Sequence, residues 1–112
     1  MTNSRTRRPP TVSIVWWDLP ESGPTIDALH ADLSDTAVGE WERVPGLLLK
    51  VWIADRDTNR WGALMVWAED PPQMLPANRA AELIGLPPSR REGFTAAAFA
   101  PRSFHRQPKE SE

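Results

Sequence analysis

The sequence predicts an α+β domain with the ferredoxin-like order β-α-β-β-α-β, in which two helices cover one side of a four-stranded antiparallel sheet. Three observations favour this fold: a hairpin pattern over residues 44–70, an apolar strand pattern before it, and a helical pattern on each side of the hairpin. The 112 residues fit one domain, which we place at residues 11–101. A flexible basic tail at 1–10 and a flexible C-terminal tail at 102–112 are expected to flank it.

The first strand is predicted over Thr11 to Leu19, where both alternating sets of side chains are largely apolar. A strand of this kind belongs in the centre of a sheet. An amphipathic helix should begin at Pro24 or Thr25 and end near Gly39. Its apolar stripe consists of Ile26, Leu29, Leu33 and Ala37.

Residues 47–54 and 61–68 form the predicted hairpin, because both runs are rich in apolar strand-forming residues and flank a polar turn. Asn59 is the turn residue suited to the left-handed conformation, and Asp55 should then face Arg60. Since side chains alternate along a strand, this register defines one face of the hairpin, here named the tryptophan face. The expected pairs on it are Ala54 with Trp61, Trp52 with Ala63, Lys50 with Met65, and Leu48 with Trp67.

The opposite face, here named the aliphatic face, is also apolar. It carries Leu47, Leu49, Val51 and Ile53 opposite Ala68, Val66, Leu64 and Gly62. An antiparallel sheet with one solvated face alternates apolar with polar residues, so both faces of this hairpin need cover. Two helices on one side of the sheet supply only one cover, and we therefore predict a homodimer in which a second copy covers the other face.

The second helix is predicted over Ala77 to Ile84, because Pro76 cannot lie inside a regular helix. Gly85 fits a left-handed helix end. The last strand is predicted over Arg91 to Pro101 from its position and its two phenylalanines, since alanine is a poor strand former.

Composition excludes several functional classes. Without cysteine the chain has no disulfide, thiolate nucleophile or zinc-thiolate site. Its 13 basic and 15 acidic residues leave a small net charge, which argues against a nucleic-acid partner. No apolar run approaches the ~20 residues that span a bilayer, and the basic start lacks a long enough apolar segment for a secretory signal. We therefore predict a cytoplasmic protein without membrane contact.

Lys50 is the main candidate on the tryptophan face. A charged amine among apolar side chains costs several kcal/mol, so it should reach a carboxylate, extend to an edge, or line a cavity. In a cavity it could bind a substrate enolate or phenolate, or help to deprotonate the neutral substrate that gives one. Large aromatics on a buried face usually fill a core or interface; alternatively, alanines such as Ala63, Ala96 and Ala98 leave room for a flat aromatic ligand. The predicted substrate-binding residues are Trp16 (or Trp17, depending on register), Lys50, Trp52, Trp61, Met65 and Trp67.

His30 is the other catalytic candidate beside Lys50. It is the only histidine outside the C-terminal tail and could act as a general base, although an ordinary, partly exposed histidine is the simpler interpretation. No second histidine accompanies it, so no metal is predicted. Phosphate-binding loops and serine or cysteine nucleophile motifs are absent from the sequence.

Residues 44–52, 57–62 and 64–67 read VPGLLLKVW, DTNRWG and LMVW. This series resembles the YdhR-type monooxygenase family, in which a P-G-L-hydrophobic-K-x-W strand, a D/E-T-x-x turn and a G-hydrophobic-W strand follow one another. That family belongs to the dimeric α+β barrel group, which includes the antibiotic-biosynthesis monooxygenases. The resemblance implies a ferredoxin-like fold, a homodimer and oxygenation of an aromatic substrate without metal or flavin. Because this chain has no tyrosine, a mechanism that needs a phenol hydroxyl is not carried over.

Two functions follow as hypotheses. The first is a cofactor-independent monooxygenase acting on a small aromatic or polycyclic substrate, in which an apolar pocket desolvates the deprotonated substrate so that it reduces dioxygen directly. The alternative is a non-catalytic small-molecule-binding or stress-associated homodimeric barrel, whose tryptophans only fill the core and the interface.

Overall fold

The computed structural model of the protein describes residues 9–100, so the predicted tail at 102–112 and residues 1–8 of the predicted N-terminal tail lie outside the described residues. The predicted α+β class is confirmed, because the structure contains a four-stranded antiparallel sheet and three helices within this range. The elements are β1 (Thr11–Asp18), α1 (Ile26–Asp32), α2 (Asp35–Glu42), β2 (Leu47–Asp55), β3 (Arg60–Trp67), α3 (Arg79–Ile84) and β4 (Arg90–Thr95).

The strand order across the sheet is β2-β3-β1-β4, and each neighbouring pair is antiparallel. The predicted central position of β1 is confirmed, while β2 and β4 are the two edge strands. This arrangement is compatible with a ferredoxin-like fold. Within residues 9–100 the structure contains no helix with the length and apolar character needed to cross a membrane.

The hairpin register is confirmed from its turn outward. Asn59 has the positive φ expected of it, 55°. This turn determines which residues of the two strands face each other at the closed end of the hairpin. The next pairs then follow from counting outward along both strands. The observed pairs include Asp55 with Arg60, Ala54 with Trp61, Trp52 with Ala63, and Lys50 with Met65.

At the far end of the hairpin the predicted register is wrong. Trp67 faces Leu47 instead of Leu48, because the ladder shifts between Leu47 and Leu49. Gly46, with φ of 81°, turns the chain immediately before β2, and its carbonyl accepts a hydrogen bond from the backbone N–H of Ala68 at 2.7 Å. The expected pair of Leu47 with Ala68 is therefore also absent.

The single helix predicted before the hairpin is two helices. Leu33 is extended, with φ of −68° and ψ of 123°, and it ends α1. The Ser34 hydroxyl then accepts a hydrogen bond from the N–H of Ala37 at 3.1 Å and caps α2. Gly39 consequently lies inside α2 and does not end it. This second helix is what brings Trp41 into the core.

The helix after the hairpin ends at Ile84 as predicted, but it begins at Arg79 and not at Ala77. Asn78 caps α3, and Gly85 ends that helix with φ of 76°, as expected. Strand β4 stops at Thr95, whereas it was predicted to continue to Pro101. Ala96 and Ala98 therefore lie beyond the sheet. The poor strand propensity of the alanine run accounts for this difference.

The tryptophan face is the face that the helices cover. Each helix contributes its buried side chains to this side of the sheet, in two clusters. The larger cluster contains Val15, Trp17, Leu19, Ile26, Leu29, Trp61, Ala63 and Ile84. The smaller cluster contains Trp41, Val44 and Trp67. Burial of this face supplies the main hydrophobic stabilisation of the domain.

The aliphatic face has no helix on it among residues 9–100, since the buried side chains of all three helices lie on the other side. Val51 on one edge strand is 40% exposed, and Phe94 on the other is 52% exposed. By register, Val12, Ile14 and Trp16 occupy the same face on the central strand β1. The result is a sheet surface that is apolar on β2, β3 and β1. On the edge strand β4 it carries Phe94 next to the ion-paired Arg90 and Glu92.

We expect Gly62→Ala to lower the free energy of unfolding by about 1–3 kcal/mol, because a Cβ at this position in β3 would overlap the Val15 carbonyl and press on the Trp16 ring. Gly39→Ala is the matched control. Nothing lies within 4 Å of a Cβ at Gly39, so the change should stabilise α2 by up to about 1 kcal/mol. Urea unfolding of both variants checks this, and similar effects at the two glycines would contradict the packing described.

Candidate functional site

A cleft of about 470 Å³ lies between helix α1 and the edge strand β2. Its lining includes three basic residues, His30, Lys50 and Arg56. No acidic residue of the described chain lines it. Four large apolar side chains complete most of the wall, namely Ile26, Leu33, Trp52 and Trp61. The Arg56 guanidinium pairs with Asp27, so the positive charge offered to a ligand comes mainly from Lys50, and this apolar site suits an anionic aromatic molecule.

The two elements present side chains to the cleft in different ways. Helix α1 contributes Ile26 and His30, four residues apart and so on one helical face, and the chain continues to Leu33. Strand β2 contributes side chains from both of its faces, because it is an edge strand and the cleft extends around it. Lys50 and Trp52 come from the tryptophan face, whereas Val51 and Ile53 come from the aliphatic face.

The Lys50 amine lies over two indole rings. Its Nζ is 3.2 Å from the centroid of the Trp41 ring and 4.9 Å from that of Trp52. Among residues 9–100 no carboxylate forms an ion pair with it. Of the three arrangements expected for Lys50, the carboxylate partner is therefore not observed within these residues, and the side chain lines the open cleft from the edge strand β2.

Burial lowers the pKa of Lys50 from its ordinary value of 10.5 to about 8. The indole rings act in the opposite direction, because their faces attract the ammonium form. At neutral pH the side chain is mainly a cation that can hold an anionic ligand. One pH unit higher it is half deprotonated, so it can also act as a base or a nucleophile.

His30 lies exposed in the last turn of α1 and lines the same cleft as Lys50. The fold therefore brings the two catalytic candidates to one cavity, although they are 20 positions apart in the sequence. Among residues 9–100 no group of three histidine, cysteine, aspartate or glutamate side chains could hold a metal ion.

Only part of the predicted substrate-binding set meets at the cleft. Lys50, Trp52 and Trp61 line it. Trp67 and Met65 instead pack with the second core cluster, around Trp41. Placing Trp16 with this set was wrong in register: Trp16 faces Gly62 on the aliphatic face, whereas Trp17 is the β1 tryptophan that packs against Trp61. Ala63 is buried in the larger core cluster, where neighbouring side chains occupy the space that a ligand would need.

Trp41 and Arg56 are among the residues of the site that were not predicted from the sequence. Trp41 lies four positions after Ala37 and continues the apolar stripe, but the helix was expected to end before it, at Gly39. Arg56, in the hairpin turn, lines the cleft and pairs with Asp27 of α1 at 2.7 Å. Both partners of this ion pair are exposed, so it adds little stability, about 0–1 kcal/mol.

We expect Lys50→Met to raise the free energy of unfolding at pH 7 by about 1–2 kcal/mol, because the charged amine is partly buried, has no carboxylate partner among residues 9–100, and the indoles offset only part of that cost. Below pH 8 the gain should be constant, since Lys50 is protonated in both folded and unfolded chains. From pH 8 to 10.5 it should shrink, because only the unfolded chain still binds the proton.

Urea unfolding across pH 6–11 measures this gain, with Lys109→Met as the reference for removing one lysine charge. A gain for Lys50→Met that stays level up to pH 11 would contradict the lowered pKa.

The chain was also compared with known proteins. No family model matches it, and no curated protein matches it.

Proposed function

We propose that the protein is a cofactor-independent monooxygenase that acts on a small aromatic or polycyclic substrate in the cleft between α1 and β2. The observation that carries this proposal is that His30 and Lys50 line one cavity together with Trp52 and Trp61. A proton acceptor, a cation and two aromatic surfaces are the groups needed to bind an aromatic anion. The resemblance of residues 44–67 to the YdhR-type monooxygenases supports the same reaction class.

The dimensions and charge of the cleft support this class of substrate. Ligand pockets usually enclose about 300–1,000 Å³, and the cleft falls inside that range. Indole faces stack on flat rings, so Trp52 and Trp61 suit a substrate of one to three fused rings. The basic lining favours a phenolate or enolate over its neutral form, and therefore lowers the pKa of the bound substrate.

The chemistry follows from binding the substrate as an anion. The His30 imidazole accepts a proton from an acidic CH₂ or hydroxyl group, and the Lys50 ammonium stabilises the resulting charge. Without an added reductant the substrate must supply all the electrons, as in R₂CH₂ + O₂ → R₂C=O + H₂O. One oxygen atom enters the product and the other leaves as water. The proposed substrates are thus electron-rich aromatics with an activated CH₂ group or its enol.

The proposal includes a homodimer with a dimeric α+β barrel, in which the aliphatic faces of two copies pack together. Support comes from the exposed Val51 and Phe94 on that face and from the lack of a helix over it among the described residues. Val51 and Ile53 belong both to this face and to the cleft lining. A second copy would consequently border the cleft and reduce the access of water to the substrate.

We expect purified protein to consume oxygen in the presence of an accepted substrate, and Lys50→Met and Trp52→Ala to reduce this rate at least about tenfold, as is usual for loss of a charge-stabilising group. An oxygen electrode with a panel of phenols, quinols and aryl ketones bearing an acidic CH₂ group measures the rate. Lys109→Met should keep the wild-type rate, and circular dichroism checks that each variant is folded.

Ligand binding separates this function from the alternative of a non-catalytic binding protein. Aromatic ligands that occupy the cleft should quench tryptophan fluorescence, and Trp52→Ala should weaken that quenching. Quenching without oxygen uptake across the panel would reject the oxygenase and favour the binding protein. If neither occurs, the tryptophans only fill the core and the interface, and both the oxygenase and ligand binding in the cleft are rejected.

We expect sedimentation at micromolar concentration to show a dimer, and Val51→Glu or Phe94→Glu to give monomers, because each substitution places a charge on the aliphatic face. Leu83→Glu is the matched control, since Leu83 is a similarly exposed leucine on α3, away from this face. A wild-type monomer, or a dimer that persists in both aliphatic-face variants, would reject the proposed interface.

A further inference from the structure

We propose that Lys50 is a reactive amine that forms a reversible imine with aromatic aldehydes or ketones bound in the cleft. This carbonyl-binding activity is independent of the oxygenase reaction, because it needs only the amine and the aromatic walls around it. Lys50 and Lys109 are the two lysines of the chain, so the activity can be assigned to one side chain.

The contacts of Lys50 distinguish it from an ordinary surface lysine. Its Nζ lies over the rings of Trp41 and Trp52, and it has no ion pair with a carboxylate in the described part of the chain. An amine held by a carboxylate keeps its proton and is a poor nucleophile. No carboxylate among residues 9–100 holds Lys50 in this way, and Lys50 lines a cleft large enough for a carbonyl compound that carries an aromatic ring.

The protonation of Lys50 agrees with this geometry. Burial lowers its pKa to about 8, so about a tenth of the side chains are free amines at pH 7, against less than about one in a thousand for an ordinary lysine. The indole faces stabilise the ammonium, but they stabilise the protonated imine in the same way, because it is also a cation. The cation–π contacts therefore do not oppose imine formation once the amine has lost its proton.

The Lys50 amine and the carbonyl compound together supply every atom and electron that imine formation needs. The Nζ lone pair attacks the carbonyl carbon, the C=O π electrons move to oxygen, and proton transfer from nitrogen to oxygen gives a carbinolamine. Loss of water then forms the C=N bond, and hydrolysis reverses the reaction. No oxidant or reductant is needed. His30 lines the same cleft and is the imidazole able to donate the proton with which the hydroxyl leaves.

The experiment uses the full chain with benzaldehyde and cyanoborohydride, which reduces the imine to a stable benzylamine. Peptide mass spectrometry then measures benzylation at Lys50 and at Lys109, with Lys109 as the internal reference. At pH 7.5 we expect Lys50 to react at least about tenfold faster, with a half-maximal rate near pH 8. Equal or slower labelling of Lys50, or a half-maximal rate near pH 10, would overturn the proposal.

A second comparison tests whether the cleft binds the aromatic part of the aldehyde. Formaldehyde reports the reactivity of the amine alone, whereas benzaldehyde also reports stacking on the indole wall. Trp52→Leu should reduce the preference of Lys50 for benzaldehyde over formaldehyde by at least about threefold and leave Lys109 unchanged. If wild-type Lys50 shows no such preference relative to Lys109, it is not part of an aromatic carbonyl site.

Trp41→Phe separates the reactive amine from a lysine held as a cation. Phenylalanine keeps an apolar ring beside Lys50 but attracts a cation less than tryptophan, so the half-maximal labelling of Lys50 should move to lower pH. A shift to higher pH would contradict the assigned role of the rings. Because the readout is covalent labelling, a failure of oxygen uptake leaves this result unaffected.

Discussion

Covering the tryptophan face of the sheet is the constraint on which the rest of the structure depends. Three short helices cover it, and the first of them, α1, forms one wall of the cleft, whose other wall is the edge strand β2. One straight helix over residues 26–42 would be about 25 Å long and would follow a single axis. The break at Ser34 instead gives α2 its own direction and brings Trp41 onto Trp67 and Lys50. The packing of the core and the geometry of the site thus have one origin.

Lys50 is the exception to that hydrophobic cover. An aliphatic side chain at this position would face only indoles and other apolar groups, so the lysine lowers stability relative to a leucine or methionine. The protein reduces this cost with two aromatic rings, which attract the cation and leave the amine able to release its proton. A carboxylate would have stabilised the amine more strongly and fixed its proton. An energetic cost beside a cleft is typical of functional sites, where local stability and activity conflict.

How far the sequence predicted this structure depends on how local each feature is. The register near Asn59 was predicted, because one turn residue and simple alternation determine it. The helix break at Ser34 was missed, because the apolar stripe continues across it and conceals the serine cap. Trp16 was placed with the wrong set, since a strand that is apolar on both faces gives no sign of which face meets the helices. Four residues of the cleft were predicted as site residues, namely His30, Lys50, Trp52 and Trp61. Alternation along β2 puts Lys50 and Trp52 on one face, but their contact with Trp41 depends on the path of α2.

The edge position of β2 connects the cleft with the aliphatic face. Val51 and Ile53 line the cleft and also belong to the face that we propose as the dimer interface. Packing at the interface therefore changes the surroundings of the cleft. A second copy packed there would remove water from the outer side of β2 and lower the dielectric around the cleft. Desolvation is what lowers the pKa of Lys50, so dimerisation would lower it further and increase the fraction of free amine at neutral pH. Assembly would then tune the reactivity of the site, because the same strand contributes to both.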